Sequence, residues 1–382
     1  MYRLSGYGEM LADRVRIEAY TQALRKVMRP GAVVMDIGTG PGIMAVLACQ
    51  LGASHVYAVE PSEVIQIARE IAVANQCAQK IEFFEDVSTN VTIPTPADII
   101  VSDLRGVLPL FERHIPSIAD ARRRFLAPGG TLIAQKDRIW IAVVDAPEHY
   151  ASIVDPWERN LLGQDLNLAR RKALNDFRKV RVSPNQLLTE AKLWTTLDYA
   201  TVEDPDVSAT IQLTTNRSGA GHGILMWFDI ELADGVGLSN GPESPEAIWG
   251  AAFFPWLEPM PLKAGQSVCV ELEAKLLEHD YFWRWSTQVA AAENPAEIVA
   301  RFEQSQLKGA VISLARMRKT ASDFVPELSA DGLLRRRVLE LMDGTASLEA
   351  IARQLTMEFP DRFIHWHKAL AYAGAISSEC SR

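Results

Sequence analysis

The glycine-rich stretch from Val33 to Gly42 constrains the fold of this chain more than any other feature. Residues 33–37 are apolar or β-forming except for Asp36, and glycines follow at Gly38, Gly40 and Gly42. Apolar residues then recur at helical spacing, so the stretch predicts a strand, a tight turn and a helix. Glycine permits positive φ and close approach of a ligand, and a helix start presents free N–H groups. The turn is therefore a predicted ligand site.

A second acid ends the next predicted strand. Glu60 follows the apolar residues 56–59, about twenty residues beyond the turn, where ribose-binding acids stand in such folds. The glycine order differs from the nicotinamide fingerprint and resembles motif I of the class I S-adenosylmethionine (SAM) methyltransferases. The resemblance implies SAM as the cofactor. It also implies a set of cofactor-binding residues: Asp36, Gly38, Gly40, Gly42, Glu60, Pro61 and, at the end of the third strand, Asp86 and Val87.

The composition is that of an ordinary globular protein, with 48% hydrophobic and 23% charged residues. A length of 382 residues predicts two or three domains. The net charge of −9 argues against a general nucleic-acid-binding surface. The four cysteines lack C-x-x-C spacing, so we expect no metal site. The sequence has neither an apolar signal region nor a long apolar run, and we expect a cytoplasmic protein without a membrane partner.

The pattern changes along the chain predict three regions. Strands and helices alternate over residues 1–135, as in a doubly wound, Rossmann-like α/β domain that binds ligands at the carboxyl ends of its strands. Residues 136–327 carry strand patterns typical of an antiparallel, β-barrel-like domain. Residues 328–382 predict a small helical, winged-helix-like module, with Ser347 as a helix cap. Residues 156–180 of the barrel region are helix-like and offer a group of leucines for contact: Leu161, Leu162, Leu166 and Leu168.

Two acids flank a glycine turn after the fourth predicted strand. The loop begins Ser102-Asp103-Leu104-Arg105-Gly106, and Glu112 follows Asp103 by nine positions. It resembles the double-acid hairpin of the protein arginine methyltransferases, which carries Ser-Glu-x-x-Gly and a second glutamate. The resemblance implies that Asp103 and Glu112 are the catalytic pair of an enzyme that methylates a guanidine nitrogen.

Further motifs extend this resemblance over roughly residues 6–290. Met10, Asp13 and Arg16 fit the family's N-terminal helix signature, which implies that Met10 borders the reacting sulfonium and Arg16 binds the cofactor carboxylate. Ala247-Ile248-Trp249 stands where the family carries Thr-His-Trp, which implies a substrate-site role for Trp249. The helical segment 156–180 falls at the family's dimerisation arm and implies a homodimer, because its leucines would otherwise be exposed.

A guanidinium acceptor explains why two carboxylates would be present. The group is delocalised, protonated at neutral pH and a poor nucleophile. Carboxylates that bind its N–H groups localise the charge, direct one lone pair at the methyl donor and fix the line of attack. The expected substrate is an arginine in a peptide or protein, or a small guanidine such as free arginine. Glu112 is the better candidate for steering the departing proton.

Departures from the family pattern suggest a divergent, bacterial-type relative. Asp103 is one methylene shorter than the family's glutamate. Arg105 occupies a position that is usually apolar, where its cation is expected to bind a substrate carboxylate or to repel a cationic peptide. The histidine of Thr-His-Trp is missing, and Tyr7 stands where the helix signature usually begins with histidine.

Two alternatives stay open on the sequence alone. The first is a small-molecule N- or O-methyltransferase of a biosynthetic pathway, with Arg105 holding an acidic substrate. The second is a regulatory protein that binds SAM without catalysis, as Asp103 and Ala247-Ile248 would allow. The C-terminal module looks similar to small winged-helix domains that bind leader peptides, which favours a dedicated peptide or pathway intermediate as the acceptor.

Overall fold

The computed structural model describes residues 3–159 and 162–381. The chain divides into two compact units, residues 1–310 and residues 311–382. The boundary after residue 310 comes earlier in the chain than the expected boundary after residue 327, so residues 311–327 belong to the same unit as the C-terminal helices. Among the described residues, no helix has both the length and the apolar character needed to span a membrane.

The first unit begins with a doubly wound α/β domain. Its five strands are parallel and stand in the order β3-β2-β1-β4-β5, which confirms the predicted fold class. The elements are α1 (Leu4–Ala12), α2 (Arg14–Val27), β1 (Val33–Ile37), α3 (Ile43–Gln50), β2 (His55–Val59), α4 (Ile65–Ala74), β3 (Ile81–Phe84), β4 (Ala97–Ser102), α5 (His114–Arg124) and β5 (Leu126–Ile133).

The strand register brings the predicted site residues to one edge of this sheet. Ile37 of β1 pairs with Val59 of β2 on one side and with Ser102 of β4 on the other. Gly38, Glu60 and Asp103 are the next residues of these three strands, so all three follow the carboxyl ends of adjacent strands. This is the edge at which ligands bind in open α/β sheets.

The rest of the first unit is an antiparallel β domain. One sheet has the order β7-β12-β10-β6-β8, with β11 paired to β10, and the other has the order β15-β14-β13-β9. Buried aromatic side chains, Phe254, Trp256, Trp283 and Trp285, lie in its core. The elements are β6 (Lys136–Val144), α6 (Pro147–Glu158), α7 (Asn167–Ala173), β7 (Arg178–Val180), β8 (Lys192–Asp198), β9 (Val207–Thr214), β10 (Gly219–Ala233), β11 (Val236–Ser239), β12 (Ala251–Leu262), β13 (Ser267–Leu277), β14 (Asp280–Ala290), β15 (Ile298–Ser305) and α8 (Gln306–Gly309).

The predicted arm at 156–180 contains the end of α6 and all of α7. Leu162 and Leu168 are exposed there, with 79% and 68% of their surface accessible. Leu161, the first of the predicted contact leucines, lies outside the described residues. Within the described residues, the arm therefore exposes the apolar side chains of Leu162 and Leu168.

The second unit is helical, with α9 (Leu314–Lys319), α10 (Ala330–Leu341), α11 (Leu348–Glu358) and α12 (Trp366–Cys380). The last three helices share a hydrophobic core of their own that includes Leu334, Val338 and Leu355. The Ser347 side chain accepts from the N–H of Ala350 at 3.2 Å, which confirms the predicted cap. The described residues 311–381 contain no strand, so the three helices are present without a wing.

Candidate active site

The glycine turn adopts a backbone that other residues would not tolerate. Gly38, Gly40 and Gly42 have φ values of 73°, 52° and 82°. A Cβ at Gly38 would lie 2.6 Å from Cδ2 of Leu104, and one at Gly40 would lie 2.9 Å from Cε1 of Tyr7. The turn thus presents bare backbone between the N-terminal helix and the loop that carries Asp103.

Two buried acids stand directly behind this turn. Oε2 of Glu60 accepts the N–H of Gly40 at 3.1 Å, and its Oε1 accepts the N–H and the hydroxyl of Ser62 at 3.1 and 2.6 Å. Oδ2 of Asp36 accepts the Thr39 hydroxyl at 2.5 Å. Burial raises the pKa of Asp36 to about 6, despite the hydrogen bond from Thr39. Asp36 and Glu60 therefore shape the turn from within.

The other predicted cofactor residues lie nearer the surface. Asp86 follows β3 and accepts the N–H of Val87 at 2.7 Å and the side-chain amide of Asn90 at 2.9 Å. A short 3₁₀ turn follows at Ser88–Asn90. Val87 and Pro61 are exposed. The cofactor-binding roles of Pro61, Asp86 and Val87 stay predictions.

Arg16 connects the cofactor side of the site to the acid loop. Its Nε donates to Oδ2 of Asp103 at 2.6 Å, and its Nη1 donates to the Met10 carbonyl at 3.3 Å. The guanidinium lies 5.6 Å from the ring centre of Tyr20 and 5.9 Å from that of Trp249. Trp249 is only 6% exposed and also packs edge-on against Phe228. In this structure it supports Arg16 and offers little surface to an acceptor.

The two loop acids occupy different environments. Asp103 is partly buried between the guanidiniums of Arg16 and Arg105, which hold the pKa of its carboxyl below the ordinary value although burial acts in the opposite direction. Glu112 is exposed, and its carboxylate forms no hydrogen bond or ion pair with the described residues. Its backbone has a φ of 43°, unusual for a residue with a Cβ.

The β13–β14 turn holds Glu112 in this strained conformation. Oδ1 of Asp280 accepts the N–H of Glu112 at 3.3 Å, and the Glu278 carbonyl accepts from the side chain of Arg113 at 3.0 Å. Such strain persists where the surroundings over-determine it, commonly at ligand sites. The barrel thus fixes the backbone of the second acid while its carboxylate stays free.

Comparison with known proteins finds matches over both domains. A family model described as the arginine methyltransferase oligomerization subdomain matches residues 135–286, and one for ribosomal protein L11 methyltransferase matches residues 19–138. Protein arginine N-methyltransferase 1.1 of Arabidopsis thaliana is 29% identical over 249 residues, which are 63% of this chain and 64% of that protein. Protein arginine N-methyltransferase 1 of Dictyostelium discoideum is 29% identical over 269 residues, 68% of this chain and 78% of that protein.

Solved structures share the fold at lower identity. Protein arginine methyltransferase 10 of Arabidopsis thaliana, in an open conformation, has a TM-score of 0.69 at 22% identity and covers 80% of this chain and 98% of its own. The Trypanosoma brucei PRMT1 enzyme–prozyme complex with AdoHcy has a TM-score of 0.71 at 22% identity, with 78% and 96% covered. Over both of its N-terminal domains the chain is therefore similar to protein arginine methyltransferases.

The loop at residues 247–249, which lacks the histidine of Thr-His-Trp, is bound to the start of α2 through its backbone. Oδ2 of Asp13 accepts the N–H of Ile248 at 2.7 Å, and its Oδ1 accepts the N–H of Arg16 at 3.0 Å. One carboxylate therefore caps α2 and ties the 247–249 loop to it. The extended backbone of Asp13 also separates α1 from α2.

Arg105 does not meet the expectation of a substrate contact. Its side chain is 1% exposed and forms a two-point ion pair with Asp137, with Nε–Oδ2 at 2.7 Å and Nη2–Oδ1 at 3.0 Å. A substrate carboxylate could reach it only by displacing this buried pair. The argument from Arg105 for an acidic small-molecule substrate is therefore removed.

Sequence reasoning missed Asp137 as a site residue. It lies on β6, where residues 137, 139 and 141 are buried and the residues between them are less so. This alternation, continued back from the apolar run Ile139–Val144, would have placed an acid on the inward face of a strand. A buried acid needs a partner, so the pattern carried a usable signal. Nothing in the sequence indicated that the partner is Arg105.

Proposed function

We propose that the chain is a SAM-dependent N-methyltransferase that methylates an arginine guanidine. The observation that carries the proposal is the contact of Arg16 with Asp103, because it joins helix α2 to the acid loop, which begins at the edge where three parallel strands end. Residues 1–135 would bind the cofactor, and residues 136–310 would complete the acceptor site.

The residues at the turn fit SAM. The three glycines leave backbone free where a Cβ would collide with neighbouring side chains. Glu60 would hold the ribose hydroxyls, Asp86 and Val87 would meet the adenine, and Met10 would border the sulfonium. Arg16 would bind the cofactor carboxylate through Nη2, which has no acceptor among the described residues. Bound SAM would supply an electrophilic methyl group on its sulfonium.

Asp103 and Glu112 would then act on the acceptor. Asp103 stays ionised and fixed, so it can accept one guanidinium N–H from within the site. Glu112 carries a free carboxylate at the surface and can bind a second N–H. The acceptor nitrogen forms a bond to the methyl carbon as the carbon–sulfur bond breaks, and one proton leaves the guanidinium. Glu112 is open to water and offers that proton a route out.

The experiment uses the full chain with SAM and three conditions: free arginine, an arginine-containing peptide, and no acceptor. We expect S-adenosylhomocysteine and an acceptor heavier by one methylene group in one of the first two. Glu112→Gln should lower kcat by about 100-fold or more and leave SAM binding intact. Glu297→Gln, an exposed barrel acid, is the matched control. Full turnover by Glu112→Gln would contradict the double-acid mechanism, and SAM binding without any product would favour a regulatory role.

We also propose that the chain forms a homodimer through the arm and acts in the cytoplasm. The support for a dimer is the match of residues 135–286 to an oligomerization subdomain, together with the exposed leucines of the arm. Exposed apolar patches of this kind usually mark a protein contact.

A further inference from the structure

Arg105 and Asp137 form the centre of a buried cluster that the proposed reaction does not use. Arg105 lies in the acid loop, whereas Asp137 lies on β6 of the barrel. Their two-point pairing joins the loop to the barrel sheet with both side chains shielded from water. This geometry is the strongest that a carboxylate and a guanidinium can form.

The remaining polar atoms of the cluster are also paired. Nη1 of Arg105 donates to the hydroxyl of Tyr20 at 3.1 Å. The Tyr199 ring centre lies 5.5 Å from the Arg105 guanidinium, and the Tyr199 hydroxyl donates to Oδ2 of Asp137 at 2.5 Å. A buried polar network with every member satisfied is rigid and specifies one arrangement of its side chains.

This cluster reaches the first catalytic acid. Nη1 of Arg105 lies 3.4 Å from Oδ1 of Asp103, and Nε of Arg16 lies 2.6 Å from Oδ2. Each oxygen of Asp103 is therefore held by a different guanidinium, one from helix α2 and one anchored on strand β6. A carboxylate oxygen accepts two hydrogen bonds, so Asp103 still has capacity for an acceptor N–H.

We propose that Arg105, anchored by Asp137, is a positioning residue that fixes Asp103 in the orientation from which it binds the acceptor. The proposal rests on the proposed function of this site. Asp103 has a short side chain, so its reach depends on a fixed rotamer and a fixed backbone. A displacement of about 1 Å in such a group can cost about 100-fold in rate.

The competing role for the pair is stabilisation of the fold alone. A single substitution cannot separate the two roles, because it would leave one buried charge without its partner and destabilise the protein. The double variant Arg105→Met/Asp137→Asn removes both charges together. Asparagine keeps an acceptor for the Tyr199 hydroxyl, and methionine fills most of the space of the arginine stem.

The matched control is a second ion pair, which begins at the next residue of β6. Arg138 follows Asp137 and pairs with Glu231 of β10 at 3.0 Å, partly exposed on the other face of β6. Arg138→Met/Glu231→Gln removes an ion pair between β6 and β10 without touching Asp103. Positioning by Arg105 predicts no change of kcat in this control.

The test compares full-length wild type, the double variant and the control for SAM binding, kcat and KM with the arginine acceptor that the wild type methylates. We expect the double variant to lose about 10-fold or more in kcat, with SAM affinity close to wild type. Unchanged kcat in a folded double variant overturns the positioning role.

Crystal structures of the wild type and the double variant with S-adenosylhomocysteine provide a readout that needs no turnover. We expect Asp103 to leave its rotamer and its contact with Arg16 in the double variant. An unmoved Asp103 overturns the proposal. If the wild type methylates no arginine acceptor, the proposed function fails, and the position of Asp103 in these crystals still decides whether Arg105 holds it.

Discussion

At the scale of single residues, the site contains two groups whose ionisation is set by burial. Asp36 lies in the first parallel strand beneath the glycine turn, and His114 begins α5 behind the acid loop. Burial disfavours the charged form of each, so the pKa of Asp36 rises to about 6 and that of His114 falls to about 3. The Asp36 shift lowers folding stability as pH rises, whereas the His114 shift lowers it as pH falls.

We expect Asp36→Asn to stabilise the cofactor-free protein at pH 8. The folded state holds the Asp36 proton more tightly than the unfolded chain, so stability is lost as pH rises through about 6. Asparagine keeps an acceptor for Thr39 without the charge. The free energy of unfolding should exceed that of wild type by about 3 kcal/mol at pH 8 and match it near pH 4. Urea unfolding followed by tryptophan fluorescence measures this, because eight of nine tryptophans lie in residues 1–310. A gain that is equal at both pH values would contradict it.

The second residue-scale prediction concerns His114. Its Nδ1–H donates to the Pro109 carbonyl at 2.9 Å, and burial together with the positive Arg105 keeps the ring neutral. The unfolded chain binds a proton below about pH 6.5, so stability is lost as pH falls from there towards 3. Between pH 7 and pH 5, His114→Gln should lose about 2 kcal/mol less than wild type. His279→Gln, at an exposed position, is the control and should follow the wild-type curve.

At the scale of elements, helices α6 and α7 carry the prediction about assembly. Leu168 is exposed in the protomer, so a charge there costs the monomer little, whereas it would be buried in a dimer formed through the arm. We expect Leu168→Glu to convert a dimer into a monomer, measured by light scattering at several concentrations. Leu193→Glu, an exposed leucine on β8, should leave the mass unchanged. A monomeric wild type would remove the dimer proposal itself.

At the scale of the whole molecule, the two compact units have separate cores. The hydrophobic cluster of the C-terminal helices contains only residues from Leu334 onward, whereas the buried clusters of the first unit end at Phe302. The predicted cofactor and acceptor residues all lie in the first unit. We expect a chain truncated after Ala310 to fold and to bind SAM with wild-type affinity, measured by circular dichroism and calorimetry. Loss of SAM binding by a folded truncated chain would give the C-terminal helices a part in the cofactor site.

The C-terminal module contains three consecutive arginines, whose function composition alone cannot determine. Arg335, Arg336 and Arg337 each pair with an acid of the same module: Glu379, Glu340 and Glu358. Three adjacent arginines in a sequence can serve nucleic acid or simply complete a surface of ion pairs. Glu340 is four residues from Arg336 in α10 itself, whereas the packing of the helices brings Glu358 of α11 and Glu379 of α12 to the other two arginines.

The sequence by itself determined the features that depend on near neighbours. The glycine turn, the acids that follow strands, and the serine cap at Ser347 are local, because backbone φ, strand periodicity and capping act within a few residues. The doubly wound class of the parallel sheet followed from the alternation of strands and helices. These features sufficed to place Asp103, Glu112 and the glycine turn at one edge of the sheet.

Tertiary structure decided which charges are free and which are already paired. Asp137 stands 32 residues from Arg105, and Ile248 stands 235 residues from Asp13, yet these contacts fix the acid loop and the start of α2. A guanidinium in a loop has the same sequence signature whether it faces a substrate or a buried carboxylate. Its role depends on which strand the fold brings against it, and that contact is set by packing across the whole first unit.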